Sequence, residues 1–336
     1  MATIYEVSKL AGVSLATVSR VMNNSEKVTE KTQAKVQAAM RQLGYRPNTI
    51  AQSLASNRSN SVGILVPELH GPFFGVMLAA IEKELRSQGK HVIITAGHSD
   101  PQREEEGMEF LASRRCDALI LFVFAVSDDQ IRVFRASSLP VVVIGRLIDG
   151  MEDDCISLDD EQGGYIATNS LIEAGHSRVA CITGPLWKSD GQQRFAGYRR
   201  ALSEHGLPFD ENLVIEGDFE ESSGRSGMKT LLQRHIPFTS LFCANDVMAA
   251  GAIEVARENG LAIPDDLSVV GFDNVFFTRY MHPGLSTIEN PVESMGRMAA
   301  RVVLRDVYGE QGLDIQHRFE PRLVRRDSIV APGQRD

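Results

Sequence analysis

Residues 4–23 read IYEVSKLAGVSLATVSRVMN, and this stretch decides how the chain begins. Thr3 and Glu6 have the spacing of a capping box at the start of a helix. Gly12 is placed to end that helix, and Ser14 is placed to cap a second one whose apolar side chains share a face. The very short turn between the helices is typical of a helix-turn-helix unit, whose second helix enters the major groove of DNA.

The second helix carries the side chains expected to meet DNA. With Ser14 as the N-cap, those that project toward base edges are Leu15, Ala16 and Arg20. Arg20 offers two hydrogen bonds to guanine, and the two apolar side chains offer contacts to thymine methyl groups. Those placed to bond phosphates are Ser14, Thr17, Ser19 and Asn23. The alternative is a helical hairpin that packs against the rest of the chain.

The region that follows indicates a third helix and a linker. Thr29 is placed to begin the helix and Gly44 to end it, and Pro47 breaks the pattern beyond. Residues 47–60 then combine one short helical segment with a polar run. Because Leu54 has no core of its own there, it is either a wedge between base pairs in the minor groove or a packing contact at a domain junction.

The charge of the chain is unevenly distributed. The net charge is −9, yet residues 1–60 hold eight Lys and Arg against three acids, which is +5 and leaves −14 for the rest. A small basic segment on a large acidic body indicates that only the segment meets a polyanion, unless the asymmetry is a chance fluctuation in a short stretch.

Length and composition exclude several classes of protein. At roughly 100–200 residues per domain, 336 residues suffice for two or three domains, and the fractions of hydrophobic and charged residues are ordinary for globular proteins. No apolar run approaches the ~20 residues that span a bilayer, and the first residues lack the pattern of a secretory signal. We therefore expect no membrane partner and a cytoplasmic location, where these cysteines are buried thiols: Cys116, Cys155, Cys181 and Cys243.

From residue 61 onward, short apolar stretches alternate with amphipathic helical patterns. Such alternation predicts an α/β fold with parallel sheets that carry helices on both faces, and a change of pattern near residues 159–164 indicates two similar halves. The nine predicted strands are 62–66, 91–96, 118–123, 140–144, 155–158, 178–183, 213–216, 240–243 and 267–270.

Polar and aromatic side chains cluster where predicted strands end. Asn245 and Asp246 follow one strand and Asp273 follows another, and ligands of such sheets bind beyond the carboxyl ends of the strands. Carboxylates and amides there bind hydroxyl groups, and aromatic rings cover the apolar faces of sugars. For the two aspartates, helix capping is an equally open alternative. Further candidates are Phe73, Phe74, Arg194 and Phe219.

Signatures of catalysis and of cofactor binding are missing from the sequence. It has no GxSxG, GxxxxGK[ST], HExxH or strand-linked GxGxxG motif and no CxxC pair. Gly163 and Gly164 open a predicted helix without the rest of a dinucleotide fingerprint, so we interpret them as packing residues. We expect neither an enzyme nor a metal or cofactor site.

Long motifs in a fixed order make the whole chain resemble one family. After the opening stretch come GYRPN at 44–48, AQSLA at 51–55, RFAGY at 194–198, ANDVMAAGA at 244–252 and LSVVGFDN at 267–274. With these motifs the chain resembles the LacI/GalR family of bacterial repressors. The stretches HGPFFG at 70–75 and RCDALI at 115–120 are most similar to its galactose and β-glucoside branch.

The resemblance implies an architecture. It comprises a three-helix helix-turn-helix head, a hinge helix, and a body of two doubly wound parallel-sheet subdomains like periplasmic sugar-binding proteins. We expect the head at 1–46, the hinge and linker at 47–60, and the effector-binding and dimerisation domain at 61–336. The chain should cross three times between its subdomains, which are expected at 61–160 with 291–320 and at 161–290 with 321–332.

The resemblance also implies roles for single residues. Leu54 falls on the hinge leucine that family members insert into the central base step, whereas Gly145 stands where relatives often carry Asp or Asn, so one hydrogen bond to a sugar is expected to be missing. The expected DNA-binding residues are Thr3, Ser14, Leu15, Ala16, Thr17, Ser19, Arg20, Asn23, Asn48, Ala51, Leu54 and Ala55. The expected effector-binding residues are Phe73, Phe74, Arg146, Arg194, Phe219, Asn245 and Asp273.

These inferences predict a dimeric repressor of a carbohydrate-utilisation operon, which a small sugar releases from double-stranded operator DNA. The lack of a leucine-heptad tail favours a dimer over a tetramer. Within the family, the alternative effector is a purine or phosphosugar that strengthens DNA binding. Outside it, a sugar-transport protein would need a signal peptide, and an enzyme acting on sugars or nucleotides would need a catalytic pair or a phosphate loop.

Overall fold

A computed structural model describes residues 2–22, 27–45, 58–137 and 139–333. They belong to two compact units, one within residues 1–60, here called the head, and one within 61–336, here called the body. The expected DNA-binding residues that lie outside the described residues are Asn23, Asn48, Ala51, Leu54 and Ala55.

The head contains three helices around a small apolar core: α1 (Ile4–Ala11), α2 (Leu15–Met22) and α3 (Glu30–Leu43). The predicted capping box is present, since the Thr3 N–H donates to the Glu6 carboxylate at 2.7 Å and the Glu6 N–H donates back to Thr3 Oγ1. The helix-turn-helix fold predicted from the sequence is thus confirmed. Its core consists of Val7, Val18, Val21, Val36 and Ala39.

The body alternates strands and helices, as predicted. The strands of its first part are β1 (Ser61–Val66), β2 (His91–Ala96), β3 (Ala118–Leu121), β4 (Val141–Ile144) and β5 (Cys155–Leu158). The helices between them are α4 (Phe74–Ser87), α5 (Pro101–Ser113) and α6 (Asp128–Ser137).

The second part of the body repeats this pattern. Its strands are β6 (Val179–Thr183), β7 (Val214–Glu216), β8 (Ser240–Cys243), β9 (Ser268–Asp273) and β10 (Ser286–Glu289). Its helices are α7 (Asp160–Glu173), α8 (Ser189–Glu204), α9 (Glu221–Gln233) and α10 (Asp246–Glu258). The chain then continues into α11 (Val292–Tyr308), β11 (Arg318–Phe319) and β12 (Arg322–Val324).

The strands form two six-stranded sheets with the same kind of order. The first sheet runs β11-β5-β4-β3-β1-β2 and the second β12-β10-β9-β8-β6-β7. All paired neighbours are parallel except β10 and β12. The carboxyl ends of the parallel strands in each sheet therefore lie at one edge, where ligand sites form in such folds. The sheets with their helices are called the first and second halves of the body below.

Helices α7 and α8 touch backbone to backbone. A Cβ atom on Gly164 would lie 2.0 Å from the carbonyl oxygen of Arg194, and a Cβ on Gly197 would lie 2.0 Å from that of Glu161. Only glycine permits such an approach at both positions. The interpretation of the paired glycines at the start of α7 as packing residues is confirmed, and the contact brings Asp160 beside Arg194.

The predicted burial of the cysteines is also confirmed, because all four are buried free thiols. Among the described helices, none is both long enough and apolar enough to cross a bilayer.

Candidate functional site

Helix α2 and its N-cap present part of the exposed surface of the head. Ser14 occupies the predicted N-cap position, since its Oγ accepts from the Thr17 N–H at 3.2 Å. Ala16 and Arg20 are exposed, whereas the remaining predicted contact residues of this helix are half-buried: Leu15, Thr17 and Ser19. Exposed polar groups at the start of a second helix are the groups that a helix-turn-helix offers to DNA.

Helix α1 and its N-cap present further exposed side chains, among them Thr3 and Tyr5. Thr3 is exposed, although its hydroxyl and N–H both take part in the capping box. Tyr5 is 69% exposed and was not predicted as a contact residue. The sequence does contain a signal for it, because Ile4 and Val7 of the same helix point into the core and leave Tyr5 on the opposite side.

The body contains a cavity of about 330 Å³ to which both halves contribute side chains. Six of the seven predicted effector-binding residues line it, namely all except Arg146. The polar and aromatic lining residues of the first half are Glu68, His70, Phe73, Phe74, His98, Ser99, Phe122 and Phe124. Those that follow β5 or belong to the second half are Asp160, Lys188, Asp190, Arg194, Asp218, Phe219, Glu220, Asn245, Asp273 and Asn290.

Arg146 supports a neighbouring loop instead of lining the cavity. Its Nη2 donates to the Val126 carbonyl oxygen at 2.7 Å, and its Nη1 lies 3.4 Å from Asp128. Burial lowers the pKa of Arg146. The preceding Gly145 does line the cavity, with φ of +90°, and a Cβ there would lie 2.9 Å from the Phe122 ring. The ring therefore occupies the space that a side chain at position 145 would need.

A buried charged cluster forms one wall of the cavity around Arg194, which is 4% exposed. Its Nε donates to Asp160 Oδ1 at 2.8 Å, and its Nη1 donates to the Ala244 carbonyl oxygen at 2.7 Å. Nη1 also lies 3.4 Å from Asp273 Oδ1, and the guanidinium lies 3.7 Å from the centroid of the Phe272 ring. These contacts hold the cation in one orientation beside two carboxylates.

Burial controls the protonation of this cluster. It raises the pKa of Asp160 to about 7 against the opposing effect of Arg194, and it raises the pKa of Asp190 and of Asp273. Burial also acts to lower the pKa of Arg194, but the neighbouring carboxylates outweigh it and raise that pKa. Three acid groups thus share one guanidinium, so the wall holds hydrogen-bond acceptors in excess of cations.

Asp273 reaches the cavity from a strained turn at the end of β9. Its φ is +102°, a left-handed value that is unusual for a residue with a side chain, and Asn274 follows with φ of +53°. Asn290 Nδ2 donates to Asp273 Oδ1 at 3.2 Å. The helix-capping alternative for Asp273 does not apply, because the residue ends a strand and pairs with Arg194.

The start of α10 supports the same turn. Asn245 is the N-cap, with Oδ1 accepting from the Met248 N–H at 2.8 Å, and it also lines the cavity. Asp246 is fully buried behind it, where it accepts from the Val275 N–H at 2.9 Å and from Thr287 Oγ1 at 2.6 Å. Asp246 thereby holds the turn that carries Asp273, and burial raises its pKa well above the usual value.

Phenylalanine rings form the opposite wall of the cavity. Phe73, Phe74 and Phe122 pack edge to face, with centroids 5.2 Å apart for the first pair and 5.4 Å for Phe74 and Phe122. Phe124 continues the row, 5.4 Å from Phe122. One face of the cavity is thus aromatic and the other carboxylate-rich, an arrangement that suits a ligand with hydroxyl groups and apolar C–H faces.

Sequence reasoning missed the other twelve polar and aromatic residues of this lining: Glu68, His70, His98, Ser99, Phe122, Phe124, Asp160, Lys188, Asp190, Asp218, Glu220 and Asn290. They follow β1, β2, β3, β5, β6, β7 and β10 along the chain, so the rule that selected Asn245 and Asp273 also applies to them, except for Asn290, whose strand was not predicted. In the described part of the chain, no group of three or more metal-ligating side chains is present.

Comparison with protein-family models covers nearly the whole chain. Residues 3–48 match the model described as bacterial regulatory proteins, lacI family. Residues 59–322 match that of periplasmic binding proteins and sugar binding domain of LacI family. The chain belongs to the LacI family. The HTH-type transcriptional regulator GalR of Escherichia coli (strain K12) is 39% identical to this LacI-family chain over 333 residues, which are 99% of the chain and 97% of GalR.

Solved structures of LacI-family regulators share the fold. The Lac repressor dimer bound to operator and the anti-inducer ONPF has a TM-score of 0.86 at 29% identity, over 98% of this chain and 99% of that one. The transcriptional regulator CelR–cellobiose complex has a TM-score of 0.72 at 32% identity, over 98% and 100% of the two chains. This LacI-family chain is therefore a DNA-binding transcriptional regulator with a sugar-binding type of body, as the sequence predicted, and its relatives are regulators rather than enzymes.

Proposed function

We propose that this regulator is a homodimeric repressor of a carbohydrate-utilisation operon and that a neutral sugar in the cavity releases it from its operator. The observation that carries the proposal is the composition of the cavity, with buried carboxylates around Arg194 on one wall and phenylalanine rings on the other. Sugar hydroxyls donate to carboxylates and accept from guanidinium, while aromatic rings cover the apolar faces of the sugar.

The charge of the lining favours a neutral ligand over an anionic one. Two cations, Lys188 and Arg194, face six acid groups: Glu68, Asp160, Asp190, Asp218, Glu220 and Asp273. Even where part of the buried acids is protonated, the more exposed acid groups Glu68, Asp218 and Glu220 would repel a phosphate. A phosphosugar therefore fits this cavity less well than the same sugar without its phosphate.

On DNA, we propose that two heads, each within residues 1–46, bind the two halves of a pseudo-palindromic operator in the bacterial cytoplasm. Arg20 reads a base, and the linker at 47–60 places Leu54 in the minor groove. A sugar changes the arrangement of the body only to the extent that it binds one arrangement more tightly than the other. The coupling free energy between two such sites is typically about 1–3 kcal/mol.

The proposal is tested by measuring operator affinity in the presence of small molecules. The operator is first selected from a random duplex library with the purified full chain. Fluorescence anisotropy then follows binding with D-galactose, D-glucose, cellobiose, glucose 6-phosphate or hypoxanthine. We expect a neutral sugar to weaken binding about 5–150-fold. Stronger binding with the phosphosugar or the purine, and no response to sugars, would instead support a co-repressor.

Substitution of Asp273 by Asn separates the two functions of the chain. The change keeps the shape of the side chain and removes an acceptor that lines the cavity. We expect Asp273→Asn to bind the operator as the wild type does and to need at least tenfold more sugar for release. Asp265→Asn, at an exposed position of the same half, is the control. Release of Asp273→Asn at the wild-type sugar concentration would place the effector elsewhere.

A further inference from the structure

Lys188 lies beside the cavity with its ammonium group among aromatic rings. Its Nζ is 4.8 Å from the centroid of Phe124, 5.3 Å from that of Trp187 and 5.9 Å from that of Phe219. No carboxylate of the described residues forms an ion pair with it, although Asp190 is two positions along the chain. Burial lowers the pKa of Lys188. A lysine in this position is unusual, because lysines are generally solvated or paired.

The rings around this ammonium come from both halves of the body. Phe124 follows β3 in the first half, whereas Lys188 and Phe219 follow β6 and β7 in the second. The cation–π contact between Lys188 and Phe124 therefore crosses the cavity. Cation–π contacts become stronger when water is excluded from them. Closure of the two halves around a ligand should therefore strengthen the contact between Lys188 and Phe124.

Phe124 is a fixed partner for this contact because its loop is held by a buried carboxylate. Glu104 on α5 is fully buried and accepts hydrogen bonds from the N–H groups of Phe124 at 3.1 Å and of Ala125 and Val126 at 2.8 Å. Arg146 holds the same loop through the Val126 carbonyl oxygen. The ring is thus positioned before any ligand arrives.

The donors of Lys188 remain available to a ligand. An ammonium has three N–H groups, and aromatic faces attract its charge without replacing the oxygen acceptors that it prefers. We propose that Lys188 joins the two halves of the body by its contact with Phe124 and donates hydrogen bonds to oxygen atoms of a neutral sugar in the cavity. The sugar contact rests on the proposed function, whereas the contact between the halves does not.

The first test needs no ligand. Cysteines are introduced at Glu105 and Lys229, exposed positions on α5 and α9, and carry spin labels. Pulsed electron paramagnetic resonance then measures the distance between the two labels, and thus between the halves. We expect Lys188→Met to increase the mean distance or to broaden its distribution, and Lys188→Arg to preserve both. The matched control is Lys90→Met, since Lys90 Nζ lies 4.0 Å from the centroid of Tyr308 in the first half. An unchanged distance in Lys188→Met would overturn the joining role.

The second test measures release from the operator by D-galactose, by D-glucose and by cellobiose. For the sugar that releases the wild type, we expect Lys188→Met to need about tenfold more and Lys90→Met to need the same amount. Equal sugar requirements of Lys188→Met and the wild type would overturn the sugar contact. A wild type that responds to none of the three sugars counts against the proposed function, and the spin-label distances then decide the joining role by themselves.

Discussion

The head and the cavity of the body place their arginines in opposite environments. Arg20 is exposed on a helix whose unit has a core of five small apolar side chains. Arg194 is almost completely buried between Asp160 and Asp273 and stacks on Phe272. The first arginine is free to adapt to a partner, and the second is already oriented by the protein.

The difference follows from what each surface has to bind. DNA presents many phosphates, so solvated cations on a small scaffold gain affinity from counterion release. A small ligand offers few contacts, and each polar group that meets it has to be held in place beforehand. The affinity of the head should accordingly respond to salt, whereas the cavity should respond to changes in its buried charges.

The largest expected effect is the loss of Arg194. Arg194→Ala leaves Asp160 and Asp273 buried without their cation, and removal of one partner from a buried pair typically costs about 3–5 kcal/mol. Urea unfolding can be followed by the fluorescence of Trp187, the single tryptophan of the chain. Arg199→Ala, at an exposed position of the same helix, should change the free energy of unfolding little. Equal unfolding curves for both variants would show that the cluster does not need its cation.

An intermediate effect is expected for Arg20 in the head. Arg20→Ala should relax the base preference at one operator position at a cost of about 1–3 kcal/mol, without changing the unfolding of the body. Selection of operators from a random library measures the preference. Arg41→Ala, on the exposed side of α3, should affect all sequences alike. If the selected sequences of Arg20→Ala match those of the wild type, Arg20 does not read a base.

The smallest expected effect is a pH dependence of stability, which should arise from a buried histidine of the body and have no counterpart in the head. His176 is buried, with ring nitrogens 2.8 Å from Thr239 Oγ1 and 2.9 Å from the Val330 carbonyl oxygen, and burial lowers its pKa. A lowered pKa means that its stabilising contribution is present above about pH 6.5 and is lost as the pH falls through the folded value, at no more than about 1.4 kcal/mol per pH unit. The head has no histidine, so only the body should weaken in this way.

Calorimetry between pH 7 and pH 5 provides the measurement for His176. His176→Gln should lose this part of the pH dependence, while His235→Gln, at an exposed position, should keep it. A pH dependence of His176→Gln equal to that of the wild type would assign the effect to another group.

Local signals account for most of what the sequence predicted. The capping box at Thr3, the turn at Gly12 and the cap at Ser14 all involve residues within four positions of each other, so they are visible without the fold. Strand β10 was not predicted, because Ser286 and Thr287 are polar although both are fully buried. Both hydroxyl groups form hydrogen bonds in the interior, since Ser286 Oγ accepts from the Arg326 N–H and Thr287 Oγ1 donates to Asp246.

The cavity depended on contacts between distant parts of the chain. The Asp160–Arg194 pair joins residues 34 positions apart through the contact of α7 and α8, and no local pattern shows it. Arg146 was assigned to the effector set from the family resemblance, but the direction of its side chain depends on Val126 and Asp128. Residue type and strand order thus indicated where a site forms, and packing decided which side chains reach it.

The glycine contact between α7 and α8 restricts how this protein evolves and moves. Because there is no room for even a methyl group at Gly164 or Gly197, the two helices pack as one rigid unit, here called the joint, which carries Asp160 and Arg194 together. Rearrangements of the body then take place around this joint rather than through it. New ligand preferences would arise from exchanges among the phenylalanines of the opposite wall, while the joint stays constant.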